Sequence, residues 1–185
     1  DVYKRQGVEE GVFQMKENKM IQNLIKLDKV KSQSIMTPRT VVATALESMS
    51  LKEFYQDGKY KFYSRIPIYN DSEDYITGYV LRQTVLEKLA EDRFDMCLKD
   101  VARPILSFPE NSPVSTVWEQ MLEKKEHISI LIDEYGCFWG IVTMEDIIET
   151  ALGFEIVDEK DSVTDMQKLA RDKWQKKLAE AKIND

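Results

Sequence analysis

The chain has 185 residues, 43% hydrophobic and 32% charged, with a formal net charge of −7 and a pI near 5.0, which suits one compact domain with a substantial core plus flanking helices. The acidic balance argues against a general nucleic-acid surface. Cys97 and Cys137 are widely separated and lack metal-type spacing, so a reduced compartment is expected; without an apolar run of about eighteen residues, neither a membrane span nor a secretory signal is expected.

In chain order, the first six residues carry no usable pattern. Residues 12–30 read as an amphipathic helix with Met20, Ile21, Leu24 and Leu27 on one face. That face either packs on the core that follows or serves as a connector. Thr37, Pro38 and Val41 read as a short lead-in strand, and Ser50 with Glu53 forms a capping box that opens a helix. Tyr63-Ser64-Arg65-Ile66-Pro67 leads into a hairpin. After a linker over 97–108, Ser112-Pro113 opens a helix carrying Val114, Val117, Met121 and Leu122. Ile128 to Ile132 is an aliphatic strand, 133–136 a turn and 137–142 a second strand. Ile147, Ile148, Ala151 and Leu152 then fall at helical spacing, with Gly153 as the stop.

A repeat organises these elements. Residues 65–86 lie on 127–148 at a constant offset of 62, with Ile66 on Ile128, Ile68 on Ile130, Gly78 on Gly140 and Val80 on Val142. Upstream, Met36-Thr37-Pro38 matches Ala102-Arg103-Pro104 at an offset of 66, so the first copy carries four extra residues, expected near Gly58. Each copy reads strand, helix, strand, strand, helix. Units of about sixty residues are too small to bury full cores alone, so the two should pack about a pseudo-two-fold axis.

Chemistry concentrates at the strand-to-helix junction of the second copy. Thr143 and Asp146 fit a capping box, in which each side chain bonds the other's backbone N–H. A helix N-terminus is also where anionic ligands bind readily. The first copy has Leu81 and Thr84 at these positions. A carboxylate offers two acceptor oxygens, and Leu81 with Thr84 cannot reproduce them; one competent ligand site and one degenerate or empty site are expected. Thr84 with Glu87 is a candidate cap one turn later.

The paired repeats, with Ile35-Met36-Thr37-Pro38-Arg39, Ser64-Arg65-Ile66-Pro67-Ile68-Tyr69 and Gly140-Ile141-Val142-Thr143-Met144-Glu145-Asp146-Ile147-Ile148-Glu149, resemble a tandem CBS-domain pair (Bateman module) of the CNNM/CorC, hemolysin-like group. The resemblance covers roughly residues 30–161. It implies an α/β (α+β) fold of two CBS repeats, at 30–96 and 97–153, between an N-terminal connector helix at 1–29 and an acidic segment with a C-terminal amphipathic helix at 154–185. It further implies a module on the cytoplasmic face of the membrane, attached to the transmembrane domain of the same protein. Such a module binds ATP with magnesium, or AMP or ADP, in a protein implicated in magnesium and other divalent-cation transport. Homodimerisation through the CBS helices rests on the same resemblance.

By that resemblance, Thr37, Val41, Tyr63, Arg65 and Ile66 line the adenine cleft, with Thr143 and Asp146 as ligand residues. Tyr63, Val41 and Ile66 are candidates for a flat apolar slot; otherwise Tyr63 is a half-buried strand aromatic. Arg65 has the planar fork that suits phosphate oxygens, or is a surface ion-pair partner. Residues 133–161 hold nine carboxylates against the single base Lys160. Mg²⁺ bridging the phosphates would offset the repulsion of a triphosphate by that surface. His127 lacks Cys or clustered carboxylate neighbours and reads as structural. Trp174, with Met166, Leu169 and Leu178, either packs on the domain or marks a partner surface. With no phosphate-binding Gly-x-x-x-x-Gly-Lys-Ser/Thr loop, no spaced nucleophile and base, and no second histidine, the chain reads as a regulatory nucleotide-binding module rather than an enzyme. The competing reading is a dimerisation and interaction module with a vestigial site.

Overall fold

A computed structural model of the chain describes residues 2–153; the acidic segment and the C-terminal helix expected at 154–185, Trp174 included, lie outside the described residues. The order is α1 (Val2–Lys26), β1 (Thr37–Pro38), β2 (Ala45–Leu46), α2 (Leu51–Gln56), β3 (Arg65–Tyr69), β4 (Ile76–Leu81), α3 (Arg82–Ala90), β5 (Leu106–Pro109), α4 (Val114–Lys124), β6 (Ile128–Ile132), β7 (Phe138–Thr143) and α5 (Met144–Leu152). One sheet runs β2-β3-β4 and the other β1-β7-β6-β5. In each, a helix carries the chain between parallel strands, β2 to β3 through α2 and β5 to β6 through α4, as parallel pairing requires.

Two cores follow from this layering. Leu51, Phe54, Tyr60, Ile66, Ile68, Val80, Val85 and Leu98 bury the helix-facing side of the first sheet. Phe54 stacks on Tyr60 with ring centroids 4.5 Å apart. Val114, Val117 and Met121, spaced along one face of α4, meet Leu131, Val142, Ile147 and Ala151 in the second core.

The lead-in segments change hands between the repeats. β1 is not part of its own repeat's sheet: Thr37 and Pro38 pair with Ile141 and Gly140 on β7. Reciprocally, Arg103 exchanges both backbone bonds with Tyr79 on β4, at 2.8 and 3.0 Å. Lys31 bridges to Pro113 as Cys97 bridges to Ser50. The strand before the helix in each copy is therefore β2 or β5, separate from the lead-in. Val41 lies beyond β1, its N–H donating to the Pro38 carbonyl.

This register corrects the uniform offset of 62 and the extra residues placed near Gly58. Ala45 stands opposite Ile68 as Phe108 stands opposite Leu131, an offset of 63. The offset of 62 holds only from β4 onward, where Val80 faces Ile66 as Val142 faces Ser129. Ile66 therefore corresponds to Ser129 and Ile68 to Leu131, so the same face of each strand meets its core. Three of the extra residues fall between Pro38 and Ala45 and one in the first hairpin loop. At Gly58 the first copy gains nothing; its helix merely breaks into α2 and a 3₁₀ turn over Gly58–Tyr60.

The N-terminal helix also differs from expectation. α1 runs from Val2 to Lys26 and docks by its end: Leu27, just past it, is buried in the second core, and Asn23 abuts Gly153 at the close of α5. Ile21 and Leu24, expected to pack, are exposed.

Candidate functional site

β7 delivers Thr143 as the N-cap of α5 in extended conformation, with φ −103° and ψ 163°. Its Oγ1 accepts from the Asp146 N–H at 3.3 Å, while Asp146 Oδ2 accepts from the Thr143 N–H at 2.7 Å and from its hydroxyl at 2.9 Å. The expected capping box is thus formed. Ile147 and Ala151 anchor the helix in the core, fixing the direction in which the carboxylate points. Burial pushes the Asp146 carboxyl up to about 6, the two bonds from Thr143 oppose that shift, and Glu149 and Glu145 add to it.

The walls of this junction come from distant segments. The Met144 N–H donates to the His127 carbonyl at 3.0 Å, and Thr143 faces Ile128. On the other edge of β7 runs β1, which brings Thr37 opposite Ile141 while Ile35 and Met36 pack into the second core. Gly140 is required there, because a β-carbon would meet the Thr37 carbonyl oxygen at 2.6 Å.

The corresponding junction of the first repeat has no such cap. Leu81 precedes α3 without a side-chain bond, and the Arg82 N–H donates to the Ser64 carbonyl at 2.9 Å. Thr84 does not open a helix one turn later, since α3 already runs through it and Glu87 accepts from the Gln83 amide at 2.9 Å.

Of the other candidate residues, Arg65 and Ile66 belong to the first sheet, with Arg65 half-buried opposite Leu81, while Tyr63 lies in the loop before β3 and is 38% exposed. Ile66 is 0% exposed within the first core and presents no surface for a slot. Val41 is buried. The pseudo-symmetry relates Ser64 to His127, so Tyr63 corresponds to Glu126 and Ile141 to Tyr79. Tyr79 donates its hydroxyl to Glu126 Oε2 at 2.7 Å across the repeats. The sequence reading missed both residues, which lie 47 positions apart and share no motif.

Among the described residues no group of three or more His, Cys, Asp and Glu side chains is arranged to hold a metal ion, and no helix is long and apolar enough to cross a membrane. Cys97 and Cys137 are free and half-exposed.

Residues 98–153 match the CBS domain family model. With the first repeat of like topology, the described chain is a CBS-domain pair. It is 36% identical over 169 residues to a UPF0053 protein of Synechocystis sp., covering 91% of this chain and 49% of that protein. The solved CBS domain of a bacterial CNNM/CorC family Mg²⁺ transporter in complex with an inhibitor is 30% identical, with a TM-score of 0.74 over 81% of this chain and 92% of that one. The same kind of domain in complex with ATP is 28% identical, with a TM-score of 0.70 over 75% of this chain and 98% of that one. The chain belongs to the CNNM/CorC family. It spans about half the length of the curated relatives it matches.

Proposed function

We propose that this chain is the regulatory CBS pair of a CNNM/CorC-type membrane protein, binding an adenine nucleotide, with ATP–Mg favoured, to control divalent-cation and chiefly magnesium transport. The observation that carries this reading is the Asp146 carboxylate, held at the start of α5 by Thr143 and without a counterpart at Leu81 and Thr84. An ionised carboxylate accepts from both ribose hydroxyls. Tyr63, the counterpart of Glu126 under the pseudo-symmetry, and Thr37, paired with Ile141 on β7, form the adenine side of the site in this reading. Arg65 serves the phosphates, and Mg²⁺ rides on the phosphates. An ATP-bound relative supports this choice of ligand.

Regulation requires that the nucleotide bind one arrangement of the module better than another. The module works as a homodimer on the cytoplasmic face of the membrane, joined to a transmembrane domain of the same protein, and performs no catalysis. One observation favours the second reading, a dimerisation module with a vestigial site: Oδ2 of Asp146 already accepts from Thr143 twice.

Calorimetric titration with ATP, with and without Mg²⁺, beside Asp146→Ala separates them. The regulatory reading expects saturable binding near one site per chain that needs Mg²⁺ and is lost in the variant. No adenine-nucleotide binding by a folded dimer would establish the second reading.

A further inference from the structure

The pseudo-two-fold axis relates two junctions between the repeats, and the chain treats them differently. In one, the related positions are Thr37, Tyr63 and Ile141, with Thr37 and Ile141 half-buried and Tyr63 partly open to solvent. In the other they are Arg103, Glu126 and Tyr79. Tyr79 is 2% exposed and bonds Glu126 at 2.7 Å through its hydroxyl, and its backbone exchanges two bonds with Arg103. Burial pushes the Tyr79 hydroxyl pKa up, the Glu126 bond reinforces that shift and Arg103 opposes it. The hydroxyl therefore stays protonated and donating.

Glu126 is more than a partner for a buried phenol. It is followed by His127, whose carbonyl holds the Met144 N–H, the first residue of α5. A bond from the first repeat to Glu126 thus fixes the segment on which the Thr143–Asp146 junction is seated.

We infer that Tyr79 and Glu126 are positioning residues: their bond latches the two repeats together at the second junction and holds the α5 start in the geometry that the Thr143–Asp146 site needs. Neither touches the ligand. The latch rests on the nucleotide reading only for its effect on affinity; its effect on α5 is independent of any ligand.

The test combines ATP–Mg titration with amide hydrogen exchange on the dimeric chain, for wild type, Tyr79→Phe, Glu126→Ala, Glu126→Gln and the Tyr79→Phe/Glu126→Ala double variant. Tyr79→Phe and Glu126→Ala should each weaken ATP binding about tenfold, as the loss of one well-made hydrogen bond to a charged group does. The double variant should be no weaker than either single one. Glu126→Gln keeps an acceptor and should bind near the wild-type level, a rescue that loss of packing alone would not give. Exchange at Thr143 and Met144 should quicken in the first two variants with or without nucleotide. Should wild type bind no nucleotide while exchange at these amides still responds, the function proposed above fails and the latch stands. Wild-type exchange rates in folded Tyr79→Phe and Glu126→Ala overturn the latch.

Discussion

The Thr37 carbonyl oxygen occupies the space into which a β-carbon on Gly140 would project, at 2.6 Å, and the Arg103 carbonyl stands in the same relation to Gly78. Both glycines sit where a lead-in segment crosses onto the other repeat's sheet, so the crossing itself dictates the residue. Gly140→Ala and Gly78→Ala should each cost roughly 1–3 kcal/mol by forcing backbone apart. Gly58→Ala, with open space around its Cα, should change little. Urea unfolding of the three variants checks the contrast.

Asp146 should give the module a pH dependence. Its carboxyl is raised from 3.8 to about 6, so the folded chain holds this proton more tightly than the unfolded chain. The resulting stabilisation is complete below pH 3.8 and is lost as pH rises through about 6. Asp146→Asn should flatten that decline in unfolding measured between pH 4 and 7. Ribose hydroxyls donate to the ionised form, so affinity should rise across the same interval in wild type. Adenosine is the ligand to use, because it has no titrating phosphate.

A pair of capping boxes separates stability from binding. Ser50 and Glu53 cap α2 as Thr143 and Asp146 cap α5. Ser50→Ala should lower stability by about 1 kcal/mol and leave nucleotide affinity unchanged. Thr143→Ala should lower both, as thermal unfolding and calorimetry on the same preparations would register.

At the hairpin tips, the Arg39 guanidinium bonds Asp74 at 2.8 Å and the Phe138 carbonyl at 3.1 Å. Hydrogen bonds from Arg39 and then Ser72 hold the Asp74 carboxyl below its usual range. A lowered carboxyl contributes stability above its ordinary value that is lost as pH falls through the folded one. In NMR titration, Arg39→Gln should move the Asp74 midpoint upward, and Ser72→Ala should move it by less.

Leu131→Ala removes a fully buried side chain from the second core and should cost about 2–5 kcal/mol. Ile25→Ala, on a residue 70% exposed near the end of α1, should stay within about 0.5 kcal/mol. Chemical denaturation of the two variants, side by side, tests where α1 stops contributing.

The repeat and the Thr143–Asp146 cap were legible because both are local: three-residue spacing, alternating aliphatics and a shared Gly-x-hydrophobic pattern. The one-residue slip between β3 and β6 was not, since hydrophobicity alone favours Ile66 on Ile128, whereas the structure sets it on Ser129. Sheet register is settled by which face meets the core, and Ser129 spends its hydroxyl on the Val142 carbonyl at 3.2 Å to remain there. The crossing of β1 onto β7 and the Tyr79–Glu126 bond join residues far apart in sequence, and nothing local announces either. Ile66 was misplaced for a related reason: a strand motif names both faces, and only packing tells which one is open.

The bridge from Lys31 to Pro113 sets the route by which a push on the N-terminal helix travels. α1 ends against α5, and the chain that leaves it is tied to the start of α4 before it reaches any strand of its own repeat. Motion of that helix is therefore delivered first to the later half of the molecule, where Thr143 and Asp146 reside, and reaches the earlier half only through the seam between them. The N-terminal helix and the Thr143–Asp146 junction are thereby joined mechanically although they stand at opposite ends of the described chain.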